Sequence, residues 1–163
     1  MPKGDLLRRV WAPTIEENAR ALGWTIDEMR TSWRAAPAPR DYDVAIGRVD
    51  KGTVAALWFQ LIAMVGGEEK LVLEHINWIA LEALPEDWPT PPRYRGKVTH
   101  VSYRTVIEGD PAFDVELQVR SDDDGLHVTA LQAVNAIPMV VAAAPGVISQ
   151  ARIAPFGPTL RRS

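Results

Sequence analysis

Two polar residues, His75 and Asn77, stand two positions apart in the otherwise apolar stretch LEHINW, residues 73–78. Side chains at this spacing lie on the same face of a β-strand, so an imidazole and an amide would form one polar patch in an apolar wall. Such a patch can hydrogen-bond a ligand. It can equally lie at the end of the strand and bond to loop backbone, which is the commoner arrangement for buried polar side chains.

A third polar residue in apolar surroundings is Asn135, within the uncharged run TALQAVNAIPMVVAAAPGVI, residues 129–148. A buried asparagine without a partner costs about 1–3 kcal/mol, so Asn135 must bond to a neighbouring loop or face a ligand cavity. Pro138 cannot donate the backbone hydrogen bond to Val134, and a helix over this run is therefore expected to bend near Asn135.

Several classes of chemistry are excluded by the residues present. The chain has no cysteine, and its three histidines, His75, His100 and His127, lack metal-binding spacing, so we predict no metal site. No G-x-G-x-x-G or G-x-x-x-x-G-K-[ST] segment could cradle a phosphate, so we expect no cofactor to bind this chain alone. There is no G-x-S-x-G nucleophile elbow. The formal net charge of −3 argues against a nucleic-acid partner.

The same uncharged run is long enough to span a bilayer, for which roughly 20 apolar residues suffice. Its polar members Gln132 and Asn135 would be costly in lipid, so a core helix is the better interpretation and no membrane association is predicted. The N-terminal residues contain no apolar segment of signal-peptide length. Together with the absence of cysteine, this favours a cytoplasmic protein.

The N-terminal third has helical spacing in two places. A first helix is expected from Thr14, as its N-cap, to Gly23, where a glycine can end it. A second helix is expected over residues 25–34, with Ile26, Met29 and Trp33 on one face and the prolines of AAPAPR as its end.

Further along the chain the spacing changes to two. Strands are predicted over residues 54–64 and 71–79, joined by the turn VGGEEK, and the second of them is expected to be a central strand because both its faces are mostly apolar. The proline-rich loop of residues 84–93 is expected to be held to the body by Trp88. Two more strands flank EGDPA, and a final helix is predicted from about Leu126 to Ala144.

This order of elements predicts one α+β domain, residues 1–163, with a largely antiparallel (mixed) β-sheet and helices packed on one face. Such a domain leaves one face of its sheet for another partner, and a homo-oligomer, most simply a twofold dimer, is therefore expected.

Several strings resemble the C-terminal domain of the dihydrodipicolinate-reductase-like family, which includes 2,4-diaminopentanoate dehydrogenase and the native amine dehydrogenases. The longest is VNAIPMVVAAAPGVISQARI at 134–153. The others, in order, are KGTVAALWFQL at 51–61, LEHINW at 73–78, DWPTPP at 87–92, VIEGDP at 106–111 and TALQAVNAIP at 129–138. The resemblance covers residues 15–155 approximately, in matching order and spacing.

The resemblance implies a function and a site. It implies the substrate-binding and oligomerisation domain of an NAD(P)H-dependent oxidoreductase acting on an imine or amine, with subunits associating through the sheet. The positions that match the pocket side of the family are His75, Asn77, Thr129 and Asn135. The family often has arginine where Trp78 stands here. The family's Rossmann domain, which binds NAD(P)H and carries the amine dehydrogenases' catalytic carboxylate, has no counterpart in these residues, so catalysis would need a Rossmann partner.

A different class of function stays open beside this one. The chain could be a stand-alone module that binds a small molecule, or a scaffold, that has kept the fold and lost catalysis. A neighbouring reading frame with a G-x-G-x-x-G motif would favour the enzyme, whereas a closed ligand cavity within this chain would favour the module.

Overall fold

A computed structural model describes residues 3–45, 47–94, 96–98, 101–119 and 125–148. The chain divides into two compact units, Met1–Trp88 and Pro89–Ser163. His100 lies outside the described residues.

The first element is helix α1, Lys3–Ala21, which begins well before the expected N-cap. Thr14 is therefore an interior residue of the helix, and the N-cap prediction is wrong. The predicted end at Gly23 is confirmed. Gly23 has φ 71°, the Gly23 amide donates to the Arg20 carbonyl, and the Trp24 amide donates to the Ala19 carbonyl at 2.8 Å. These two bonds form a Schellman motif, in which glycine takes the left-handed conformation without strain.

The second predicted helix is also wrong, because residues Glu28–Pro37 form strand β1. The spacing of Met29 and Trp33 fits a helix turn, but it fits alternate positions of a strand equally well. Along its whole length β1 pairs antiparallel with the apolar strand β4, Val54–Val65. The backbone bonds and packing gained in that pairing override the local preference.

Strand β4 is the centre of a three-stranded antiparallel sheet in the order β1-β4-β5, where β5 is Glu68–Trp78. The predicted hairpin between β4 and β5 is confirmed, with Gly66 and Gly67 at positive φ in its turn. The expectation that residues 71–79 form a central strand is wrong within the described residues. There β5 pairs with β4 alone, because β1 occupies the other side of β4.

Helix α1 packs on one face of this sheet and builds its main core. Ile15 on the helix and Phe59, Leu61 and Ala63 on β4 are buried together, with Leu71 and Leu73 of β5 partly buried against them. Two further strands, β2 (Tyr42–Val44) and β3 (Gly47–Val49), form a small hairpin. A short 3₁₀ helix follows at Leu81–Ala83.

The hairpin segment is held to the 3₁₀ helix by a cluster of polar contacts. The Glu82 carboxylate accepts hydrogen bonds from Arg40 Nε at 2.6 Å and from the Tyr42 hydroxyl at 2.9 Å, and the guanidinium of Arg40 lies over the Tyr42 ring. Beneath these contacts Tyr42 packs with Ala38, Ala55 and Ala83. The segment is therefore held beside Ala55, near the start of β4.

The proline-rich loop after the 3₁₀ helix is anchored as expected. Trp88 is only 4% exposed and packs with Ala36 and Ala56 on the face of the sheet opposite α1. Its ring lies 5.6 Å from that of Trp58 in an edge-to-face arrangement.

The second unit contains a short hairpin, β6 (Arg93–Tyr94) and β7 (Lys97–Val98), a longer hairpin, β8 (Ser102–Ile107) and β9 (Phe113–Gln118), and helix α2, Gly125–Ala142. The longer hairpin and the final helix confirm the sequence prediction. The fold is α+β with antiparallel sheets, also as predicted. No helix among the described residues combines the length and apolarity needed to cross a bilayer.

Candidate functional site

His75 lies on β5 directly opposite Phe59 of β4, with its side chain on the face covered by α1. Asn77 follows on the same face, near the end of the strand. A hydrogen bond joins the two side chains, and Asn77 is exposed whereas His75 is half-buried. The alternation of the strand therefore brings the imidazole and the amide together.

The ring of His75 has a neighbour from a distant part of the sequence. Trp11, on α1, places its indole 5.0 Å from the imidazole, centroid to centroid, with the ring planes tilted by 39°. The sequence analysis did not single out Trp11. The available signal was its position one helical turn before Ile15, which puts both residues on the side of α1 that meets the sheet.

The protonation of His75 follows from these surroundings. Burial lowers the pKa of the imidazole below its ordinary value, because the charged form loses hydration. The hydrogen bond to Asn77 raises the pKa, the direction expected when a ring N–H donates to the amide oxygen. Burial is the larger effect. His75 is therefore neutral at pH 7, with one nitrogen as donor and the other as acceptor.

The part of this sheet face around His75 has no charged register position on its three strands; Glu68, opposite Val65, lies beyond it at the hairpin end. The register positions of this part are, strand by strand, Met29, Thr31, Trp33 and Ala35; Leu57, Phe59, Leu61 and Ala63; and Leu71, Leu73, His75 and Asn77. A ligand group in contact with this face would meet apolar side chains and the neutral hydrogen-bonding groups of His75 and Asn77.

The opposite face of the same sheet is mixed, with charged and polar side chains on β1 and at Gln60 and Glu74 among apolar ones such as Ile62 and Ile76. Arg34 lies 5.4 Å from the ring centroids of both Trp58 and Trp88, and its guanidinium forms an ion pair with Asp87 at 2.7 Å. Gln60 donates to the Glu74 carboxylate at 2.9 Å. A shallow depression of about 110 Å³ lies here, lined by Ser32, Arg34, Trp58 and Gln60.

The other two predicted site residues lie in the second unit, on α2. Thr129 is exposed and Asn135 is partly buried, and each interacts with another group of the protein. Pro138 is inside the helix, which continues to Ala142. Their contact with a ligand remains a prediction.

The fold is shared with a solved structure of an amine dehydrogenase from Mycobacterium smegmatis, with a TM-score of 0.59 and 20% sequence identity, over 91% of this chain and 38% of that one. The chain belongs to the family of 2,4-diaminopentanoate dehydrogenase C-terminal domains, whose family model matches residues 11–156. The resemblance seen in the sequence is confirmed.

A curated relative agrees with this family. An amine dehydrogenase from Streptomyces virginiae is 35% identical over 159 residues, which are 94% of this chain and 42% of that protein. The chain therefore spans less than half the length of each of these two dehydrogenases.

Proposed function

We propose that this chain is the substrate-binding and oligomerisation domain of an NAD(P)H-dependent oxidoreductase that acts on an amine or imine. The observation that carries the proposal is the family match over residues 11–156. The activity needs a Rossmann partner, either joined to this domain or separately encoded, because the curated relative is more than twice as long as the matched region. We also propose that the protein works in the cytoplasm.

Within this function, His75, Asn77, Thr129 and Asn135 contact the substrate. His75 and Asn77 offer hydrogen bonds without charge, on a part of the face whose other register positions are uncharged and mainly apolar. This chemistry suits the uncharged carbon skeleton of an amine, with an N–H group of the substrate donating to the imidazole. We propose that the reacting groups other than the substrate belong to the partner domain.

NAD(P)H is proposed to bind through the Rossmann partner and not through this chain. Pyrophosphate binding requires a glycine-rich turn between a strand and a helix N-terminus. The adjacent glycines here, Gly66 and Gly67, form the turn of the antiparallel hairpin between β4 and β5 instead. The described residues therefore do not fit a dinucleotide-binding turn of this kind.

A titration and a fusion test this function together. The chain alone is expected to leave the fluorescence of NADH and NADPH unchanged. We then fuse the chain to the part of the Streptomyces virginiae enzyme that has no match in it. The fusion is expected to produce NAD(P)H from NAD(P)⁺ when a short primary aliphatic amine is added. Micromolar binding of NADH by the chain alone would contradict the need for a partner. A folded fusion that binds cofactor but oxidises no amine would favour the stand-alone binding module.

The partner in oligomerisation is proposed to be a second copy of this chain, bound through the sheet face opposite α1. That face carries arginines on β1, Arg30 and Arg34, and a carboxylate on β5, Glu74. A twofold axis parallel to β4 places β1 of one copy over β5 of the other, because the rotation exchanges the two sides of the sheet. Each Glu74 then lies among the arginines of the partner copy. Within one copy these side chains form exposed ion pairs and hydrogen bonds. Exchanging them for contacts with the partner copy costs little free energy.

Light scattering tests the dimer. The chain is expected to have twice the mass of one 18.0 kDa protomer, and Glu74→Arg is expected to return it to a monomer because it places like charges together. Glu16→Arg makes the same charge change on exposed α1 and is expected to leave the dimer intact. A wild-type monomer at high concentration would refute the dimer, and dissociation by both variants would refute the assigned face.

A further inference from the structure

We propose that Trp11 is a positioning residue of the His75 site: its indole ring fixes the orientation of the imidazole and shields it from water, while Asn77 selects the ring nitrogen that carries the proton. This inference rests on the proposed function for its catalytic consequence, but its geometric part concerns this chain alone. Trp11 would act through His75 and would not itself react.

The geometry around His75 leaves few other groups that could fill this role. The sheet positions nearest the imidazole are Phe59 and Leu61 across the strand pair and Leu73 on the same strand, none of which can hydrogen-bond or ionise. Asn77 holds one edge of the ring. The indole of Trp11, with centroids 5.0 Å apart, is the aromatic contact made from the helix side.

The contact has a chemical consequence. An imidazole that donates one N–H to Asn77 carries its lone pair on the other nitrogen, and a ring held in place directs that lone pair to a fixed position. If water entered between α1 and β5, the ring would be free to rotate and would protonate more readily. Trp11 thereby preserves a neutral acceptor for an N–H of the substrate.

Charged groups near the contact must be considered, because they could produce the same titration behaviour. The register positions around His75 on this face carry none, and Glu68, opposite Val65, lies at the hairpin end, six residues along β4 from Phe59. On α1, Arg8 lies one turn before Trp11 on the same side of the helix. Arg8 does not enter among the causes of the His75 shift, which are burial and the Asn77 hydrogen bond.

Proton NMR of the histidine rings tests the proposal without requiring any activity. In the wild-type chain we expect the pKa of His75, assigned with His75→Gln, to lie below about 6.5, its ordinary value. Trp11→Ala is expected to raise it by about half a pH unit or more and to remove the upfield shift caused by the indole. Trp11→Phe should retain both properties, since an aromatic ring remains over the imidazole.

The control separates positioning from helix packing. Ile15→Ala removes a buried side chain of α1, 2% exposed, one turn after Trp11, and should destabilise the helix contact without moving the pKa of His75. Equal rises in Trp11→Ala and Ile15→Ala would overturn the proposal, as would an unchanged pKa in Trp11→Ala. If Trp11→Ala does not fold, Trp11→Leu replaces it. It keeps an apolar side chain on α1, and a pKa equal to that of wild type would again overturn the proposal.

The fusion with the unmatched part of the Streptomyces virginiae enzyme gives a second measurement. A neutral imidazole is required if it accepts a hydrogen bond from the substrate, so activity falls as pH drops through the pKa of His75. Trp11→Ala is expected to shift this acidic limb of the kcat/KM profile to higher pH. Ile15→Ala should lower the whole profile without moving the limb. If the acidic limb of the kcat/KM profile does not move in Trp11→Ala, the catalytic part of the proposal is overturned. The NMR measurement tests the geometric part independently.

Discussion

Phe59→Ala will lower the free energy of unfolding by about 3–5 kcal/mol, the range typical of a large aromatic side chain removed from a core. Phe59 is 1% exposed at the centre of β4, between β1 and β5 and beneath α1. It packs against Ile15, so the cavity left by its ring would lie at the contact between helix and sheet and could not fill with water. Equilibrium denaturation in urea, followed by far-UV circular dichroism, measures the change.

Trp33→Ala is the matched control for Phe59→Ala. Trp33 is the register partner of Phe59 on the same face of the sheet, but it is 48% exposed and removes less apolar surface from water on folding. We expect its loss to cost less than about 1.5 kcal/mol, since the truncation leaves no enclosed cavity. Equal costs for the two substitutions would show that α1 does not close over the sheet as described.

Asn135→Leu will lower the kcat/KM of the fusion for amine oxidation by about 100-fold or more. A 100-fold fall is equivalent to about 2.7 kcal/mol of transition-state stabilisation. The reason is that leucine matches the size of asparagine and removes its donor and acceptor, leaving a polar group of the substrate unpaired. Initial rates across substrate concentrations measure kcat/KM, and urea denaturation of the same variant measures stability.

Gln132→Leu provides the comparison for Asn135→Leu. It removes a second amide from the same helix at an exposed position and is expected to change kcat/KM by less than about threefold. If Asn135 served only to bond protein backbone, Asn135→Leu would instead destabilise the chain by about 1–3 kcal/mol. Such a loss of stability with activity retained in the folded fraction would remove Asn135 from the site.

The parts of the fold that the sequence predicted are those in which one local signal dominates. The β4–β5 hairpin joins two long apolar strands through Gly66 and Gly67, which can adopt positive φ. Strand β9 alternates strictly between apolar and polar residues, and α2 is too long and too rich in alanine for a strand. In each case periodicity and turn chemistry agree.

The parts that were wrong depend on contacts between distant residues. Residues 28–37 have no local feature that distinguishes a helix from a strand, and the pairing with β4 decides the matter. Pro13, in the interior of α1, makes a start before Thr14 look unfavourable in the sequence, although the helix begins at Lys3. Within the described residues β5 lies at the edge of the sheet because β1, which the sequence predicted to be a helix, pairs with the other side of β4.

The candidate site divides in the same way. The pairing of His75 with Asn77 follows from the two-residue period of a strand, so it could be predicted. The contact with Trp11 could not, because it requires α1 to lie across β5 at one particular position. The shift in the pKa of His75 depends on the burial of its ring, so it could not be predicted from the sequence either.

The separation of charge between the two faces of the sheet has a consequence for folding. Sliding β1 by one residue along β4 would turn Arg30 and Arg34 onto the face that carries Phe59, and would turn Met29 onto the opposite face. Met29 would then lose its packing against the main core, and Arg34 would lose its ion pair with Asp87. The loss of these contacts favours the native alignment of β1 with β4 over the alignment shifted by one residue.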